Sequence, residues 1–342
     1  MTDKIKLFDQ VSLVIPVRNE AKFIEKCIQS VLKQDYPLEK MEALLIDGLS
    51  NDQTKEIIKK YNKEYPSTIK YFENSKKTVP YAMNIGIRNA AGHYIIRLDG
   101  HAEYPDNYVS KCIATLKRTG ADNVGGLLMT RGSGTVGRAY AKVLSSVFGV
   151  GNASFRINAS SGFVDTVPFG AFKRSTFIKY GFYDERLTRR QDYELNYRIR
   201  KKGGKIYLDS DIKLVYHCRS TIPGILEQSY QKGKWNIITA KMSLGTMSLR
   251  HLIPFIFVLS LLLLPILAFF VPFFKWLLLT ELAAYLLLSV IFSFKLADGF
   301  KEAILIFLLY PLNHLAYGFG SIAGLKYNPK QAIIEDSESY PS

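Results

Sequence analysis

The sequence predicts an α/β protein: a doubly wound, mixed but mainly parallel sheet followed by a C-terminal α-helical transmembrane region. Three observations point there. Strand-like and helix-like periodicities alternate four times in about the first hundred residues. Carboxylates stand at the ends of two of those strands, Asp47 and Asp99. Apolar residues crowd into the last third of the chain as three stretches, each near the ~20 residues a bilayer requires.

The first strand is Val11 to Val17, VSLVIPV, apolar and β-branched as a strand buried on both faces should be. In the RNEAKFIEKCIQSVLKQ that follows, Phe23, Ile24, Cys27, Ile28, Val31 and Leu32 recur at helical spacing, with Asn19 in the N-cap position. ALLIDG is the second strand, and Asp52 opens the helix DQTKEIIKKYNKEY. IKYFEN and VPYAMNIGIRNAAG make a third strand and helix with Gly92 as the stop, and YIIRLD is the fourth strand. Gly120 to Gly170 is rich in Gly and Ser and reads as strand ends and mobile loops. QDYELNYRIRKKGG has an acidic entrance and a Gly-Gly stop, as a helix should.

The basic stretch SYQKGKWNIITAKMSLGTMSLRHL suits the interfacial plane of a membrane. The spans follow at about 252–274, 276–297 and 302–323; the third carries Pro311, Asn313 and His314 and is expected to be re-entrant or packed inside the bundle. Lys232, Lys234, Lys241 and Arg250 crowd the near side of the first span, which puts the N-terminal part in the cytoplasm. Lys326 and Lys330 in the tail run mildly against that count. The expected division is a catalytic region at 1–225, an amphipathic segment at 226–251, helices at 252–325 and a polar tail at 326–342.

At 342 residues, 48% hydrophobic and with a formal charge of +15, the chain is a folded, basic protein with a core of ordinary size. Nucleic-acid-binding signatures are missing, so membrane surface and phosphate are the expected anionic partners. Cys27, Cys112 and Cys218 are odd in number and far apart, which indicates neither a disulfide framework nor a zinc site. MTDKIKLFDQ lacks an apolar run of signal-peptide length. No G-x-G-x-x-G or Walker motif follows any strand.

VSLVIPVRNEAKFIEKCIQSVLKQDYP, LLIDGLSNDQT and IIRLDGH resemble the three nucleotide-sugar-binding segments of family-2 glycosyltransferases with the GT-A fold. The resemblance implies that Asp47 contacts the base, with Pro16, Arg18 and Glu20 lining the same pocket. Asp99 and His101 would take the Asp-x-Asp positions and hold Mn²⁺ or Mg²⁺ against a diphosphate, with His217 a possible third ligand. Imidazole in that set favours manganese. Gln191, Asp192, Tyr193, Glu194 and Leu195 match the family's Glu-Asp-x-Asp-Leu region, so Asp192 inherits the role of base. PFGAFKRSTFIKYGFYDERL is similar to the acceptor-side loop, in which Gly170 permits close approach and Asp184 and Glu185 pair with arginines. Gln231, Lys234 and Trp235 resemble a Gln-x-x-Arg-Trp segment that faces acceptor and diphosphate; an interfacial Trp among snorkelling lysines explains them equally well.

The chain is similar to membrane-anchored exopolysaccharide glycosyltransferases of the succinoglycan type. This similarity implies inverting transfer from a UDP-sugar to a saccharide on a polyprenyl diphosphate at the cell membrane. A processive polysaccharide synthase, another enzyme using Asp99 and a metal, and a non-catalytic basic scaffold are the alternatives.

Overall fold

The computed structural model describes residues 9–327; the tail with Lys330 and most of the N-terminal decapeptide lie outside the described residues. Four βα units open the chain: β1 (Val11–Val17) and α1 (Ile24–Leu32), β2 (Met41–Asp47) and α2 (Thr54–Glu64), β3 (Ile69–Glu73) and α3 (Val79–Asn89), β4 (Tyr94–Arg97) and α4 (Tyr108–Thr119). Then come β5 (Asn123–Arg131), α5 (Gly134–Leu144), α6 (Val147–Val150), β6 (Gly162–Phe163), β7 (Ala171–Lys173), α7 (Arg174–Tyr180), α8 (Gln191–Lys201) and β8 (Ile206–His217). Four long helices follow: α9 (Ile222–Met242), α10 (Leu249–Phe270), α11 (Pro272–Leu296) and α12 (Phe300–Lys326).

The eight strands form one sheet in the order β3-β2-β1-β4-β7-β5-β8-β6. β3, β2, β1 and β4 are mutually parallel, whereas β7 runs antiparallel to β4 and β5, and β6 antiparallel to β8. The mixed, mainly parallel sheet expected from the sequence is therefore present. Register decides what shares a rim. Val17 is level with Asp47, and Val14 with Arg97, so β1, β2 and β4 end together with Asp47 and Asp99 on one edge. That edge is where a parallel sheet presents its ligands.

The chain divides into two compact units. The first holds the residues up to Leu128 together with Ala159–Val215; the second holds Met129–Asn158 and the chain from Tyr216. In the first, β1 and β2 are buried almost throughout, and α1 buries Ile24, Cys27, Ile28 and Val31. Burial is the leading reason the Cys27 thiol is pushed up to about 12, so it packs as an inert apolar group.

Several local expectations change in the structure. Asn19 does not cap α1, which begins at Ile24; it adopts the left-handed conformation (φ 54°) and bonds to the next loop instead. Gly92 does not stop α3, whose C-cap is Ala90; a side chain at 92 would collide with the Ser12 backbone, so close approach to β1 explains the residue. Within Gly120–Gly170 the reading of strand ends and mobile loops misses α5, whose Ala139, Tyr140, Val143 and Leu144 are buried in the second unit. Small residues there serve close packing.

In the second unit three helices, α10, α11 and α12, are long and apolar enough to cross a membrane. α12 is continuous through Pro311, and 44% of its most apolar window is buried against 11% in the other two, so it is the packed span. Tyr140 and Ser229 both donate to Asn313 Oδ1, at 3.0 and 2.8 Å, tying α5 and α9 to α12. The segment expected to lie flat in the interface is mainly α9, which packs along α12 with backbones in contact at Gly233 and Gly320. A Cβ at Gly233 would strike the Tyr317 carbonyl. Gly233→Val is therefore expected to destabilise the protein by about 1–3 kcal/mol, read as a lower midpoint of thermal unfolding in detergent. Gly299→Ala, with nothing within 4 Å of an added methyl, is the control that should not move it.

Candidate active site

The rim is built first by two loops stitched together. Asn19 N–H donates to Ser50 Oγ (2.9 Å), and Asn51 N–H donates back to Asn19 Oδ1 (3.0 Å). Glu20 N–H reaches Thr54 Oγ1 at 2.8 Å, and Ala21 N–H reaches Asp52 Oδ2 at 3.1 Å. Asp52 thus opens α2 and also holds the neighbouring loop, with its carboxyl below the ordinary range because bonds from Thr54 and Ala21 outweigh the effect of burial. Asp47 is 1% exposed and accepts from Ser50 N–H (3.2 Å), Ser50 O–H and Tyr71 O–H (3.4 Å). It braces this turn. Pro16, Arg18 and Glu20 are half-buried on the β1 side of the same rim, with Arg18 lying across Gly48.

The second carboxylate group lies at the end of β4. Asp99 N–H donates to Tyr104 Oη at 2.7 Å, which fixes the backbone, while burial keeps that phenol protonated. Its Oδ1 accepts from Arg97 Nη2 at 3.2 Å. His101 Nδ1 lies 3.0 Å from Glu20 Oε1, with the imidazole 48% exposed. A carboxylate on one ring nitrogen orients the other towards a ligand, as in many histidine metal sites. Asp99 and His101 therefore suit a divalent cation that takes its remaining oxygens from a diphosphate. Among the described residues no three His, Cys, Asp or Glu side chains form a metal cage, so the three-residue set with His217 is not assembled by the protein alone. His217 is exposed at the end of β8, in the second unit.

The third carboxylate comes from the entrance of α8. Arg190 takes the left-handed conformation there (φ 65°) and stacks 3.6 Å from the centroid of Tyr193. Asp192, half-buried, accepts from Tyr193 N–H at 3.0 Å. Glu194, the other acid of this turn, is engaged by Arg198 through Nε (2.9 Å) and Nη2 (2.6 Å), and Arg198 also donates to the carbonyls of Tyr180 and Phe182. Asp192 carries no such arginine clamp among the described residues. Asp184 and Glu185 do pair with arginines, Arg186 at 2.7 Å and Arg88 at 3.8 Å.

Arg97, the first residue of an Arg-x-Asp-x-His motif to which the sequence assigns no separate role, links these groups. Its side chain is 10% exposed, bonded to Asp99 and stacked 5.6 Å from the centroid of Phe169, while its backbone N–H is held by the Gly170 carbonyl at 3.0 Å. Burial works against its charge, but Asp99, Tyr183 and Asp192 outweigh that and keep it protonated above its ordinary range. The buried Tyr183 phenol lies against Arg97 and feels Asp192 and Asp99 in turn. Asp99, Arg97, Tyr183 and Asp192 thus share one electrostatic neighbourhood. The available signal was a cation inside the apolar run YIIRLD, which is costly unless paired.

Gln231, Lys234 and Trp235 stand in the second unit. Trp235 is 1% exposed with its indole N–H unpartnered, so it is not an open platform for a sugar. Lys234 Nζ lies 3.7 Å over the Tyr327 ring, and Gln231 donates to Glu227 at 2.8 Å. Helix packing, which the short motif does not register, decides these positions.

Residues 12–181 match the model of the family described as "Glycosyl transferase family 2". Over 260 residues, 74% of this chain and 80% of the relative, it is 31% identical to a dolichyl N-acetyl-α-D-glucosaminyl phosphate 3-β-D-2,3-diacetamido-2,3-dideoxy-β-D-glucuronosyltransferase of Methanococcus voltae. The succinoglycan biosynthesis protein ExoA of Rhizobium meliloti (strain 1021) is 29% identical over 71% of this chain and 73% of its own. Among solved structures, a mannosyltransferase of Pyrobaculum calidifontis in complex with GDP-Man and Mn²⁺ superposes with a TM-score of 0.60 at 17% identity, over 94% of this chain and 88% of that one. A strand-end carboxylate rim, a helix-entrance aspartate and relatives matched across most of their length agree, and the chain belongs to glycosyltransferase family 2 and is a glycosyltransferase.

Proposed function

We propose that this enzyme transfers one sugar, with inversion, from a UDP-sugar to a saccharide carried on a polyprenyl diphosphate. It works at the cell membrane as a multi-pass protein whose catalytic domain faces the cytoplasm. The observation that carries the reading is Arg97, one buried guanidinium bonded to Asp99 and within electrostatic reach of Asp192. The donor-side and acceptor-side carboxylates then serve one reaction. The Methanococcus voltae relative is named for an acceptor on dolichyl phosphate, which supports a lipid-linked acceptor here.

Asp192 takes the proton from the acceptor hydroxyl as that oxygen attacks the anomeric carbon. The bond from that carbon to the diphosphate breaks on the opposite face, and its electron pair leaves with the nucleoside diphosphate. A single carboxylate suffices, where a hydrolase needs two. Asp99 and His101 would hold a divalent cation, with Glu20 orienting the imidazole; when bound, it neutralises charge on the leaving diphosphate. Asp47, Pro16, Arg18 and Glu20 form the nucleotide side, Asp47 through the turn it braces.

A donor screen on the full chain in native-lipid nanodiscs tests this. UDP release should require a polyprenyl-diphosphate saccharide, stop with excess EDTA and return with Mn²⁺ more fully than with Mg²⁺. Full turnover in EDTA would remove the cation, and release of inorganic diphosphate would remove the transferase chemistry. Polymer in place of a single added sugar would favour a processive synthase. The buried Trp235 speaks against that alternative, and family membership sets aside the non-catalytic scaffold.

A further inference from the structure

We infer that the second unit carries its own phosphate-recognition site for the acceptor's lipid carrier, built on Arg156 and Lys232 with Tyr216 and Gln228. The inference rests on the lipid-linked acceptor proposed above and moves the diphosphate contact away from Lys234 and Trp235.

Arg156 is half-buried, yet among the described residues it forms no ion pair with a carboxylate. Its guanidinium lies 4.8 Å from the centroid of Tyr216 and 5.7 Å from that of Phe155, and its one polar contact is a long bond from Nη1 to Thr130 Oγ1 at 3.4 Å. Stacked on aromatic faces, a guanidinium keeps its N–H edge for a planar or tetrahedral oxyanion. A partly buried cation without a counter-ion is costly in an isolated protein, so a ligand that supplies the charge accounts for it.

Other groups converge on the same place. Gln228 Nε2 donates to Tyr216 Oη at 3.1 Å, and Lys232, one turn further along α9, brings its Nζ to 3.4 Å from Gln228 Oε1. Burial raises the Cys218 thiol, while a backbone bond and the charges of Arg156 and Lys232 lower it, so both cations lie within electrostatic reach of that one group. The segment that carries Arg156 also reaches the start of a span. Asn152, four residues before Arg156, accepts from Arg250 Nη1 at 3.3 Å, in the first turn of α10, the most hydrophobic of the three candidate spans. Two cations beside the mouth of an apolar helix suit a phosphate whose chain continues into the bilayer.

The test uses the full-length protein in phosphatidylcholine nanodiscs, with binding of undecaprenyl diphosphate measured by native mass spectrometry and UDP binding measured in parallel. Arg156→Gln and Lys232→Gln are expected to weaken lipid binding by about 10- to 100-fold with UDP affinity and thermal midpoint unchanged, and Arg156→Lys to fall between. Wild-type binding that Arg156→Gln and Lys232→Gln leave intact overturns the site and leaves the lipid-linked acceptor standing. Binding of inorganic diphosphate but not of the lipid, lost in Arg156→Gln, overturns the lipid as its source. If the wild-type protein binds neither ligand, the site and the acceptor reading both fall.

Discussion

Asp192→Asn is expected to lower kcat by about 10²- to 10⁴-fold, the range a positioned general base supplies. The amide keeps the size of the side chain and its bond from Tyr193 N–H, so the entrance of α8 should stay folded. It loses only the capacity to accept a proton. Donor affinity should change little, since the substitution acts on the attacking hydroxyl. Glu194→Gln gives the contrast: it weakens the pair with Arg198, which holds two backbone carbonyls in place, and should lower the unfolding midpoint more than the specific activity of the folded fraction. UDP release under saturating donor, with thermal unfolding of each variant, separates the two. Near-normal turnover by Asp192→Asn would remove it as the base.

Arg97→Met should be the more damaging change to the protein as a whole. Removing one partner of a buried pair leaves the other uncompensated, at about 3–5 kcal/mol, and Asp99 would be that partner, with a side chain only 16% exposed. Misfolding of this variant would leave the chemistry unread, so Arg97→Lys carries the kinetic test. Lysine keeps the charge but not the planar fork that reaches Asp99 while stacking on Phe169. Turnover should fall about tenfold or more at neutral pH. Turnover left unchanged in folded Arg97→Lys would reduce Arg97 to a structural ion pair.

Much of this site was legible in the chain because its parts stand at boundaries. A carboxylate ending an apolar run, as at Asp47 and Asp99, marks a strand's carboxyl end in a parallel sheet, and topology then gathers such ends on one edge. Asp192 also stands where a periodic helix begins, a place that helix-dipole preference explains by itself; its role as base follows only from the resemblance of residues 191–195 to the family's Glu-Asp-x-Asp-Leu region. Other residues were misread because their reasons are not local. Trp235 looks like an interfacial anchor until its burial is known, and Asn19 looks like a cap until the second loop bonds to it. Arg97, though part of an Arg-x-Asp-x-His motif, has no role legible in the chain, because an arginine in a short strand means little without the carboxylates that surround it.

By itself the sequence determined the α/β class, the four opening βα units, the placing of apolar spans at the C-terminal end, and the two aspartates of the rim and the one at the helix entrance. These follow from periodicity and from what ends each period, and both act over a few residues. Only the tertiary structure decided that residues 129–158 belong with the apolar helices, that β7 enters antiparallel between β4 and β5, and that Arg97 bonds Asp99 within electrostatic reach of Asp192. Such facts depend on contacts between residues tens of positions apart, where burial and charge pairing set the outcome and local preference carries little weight.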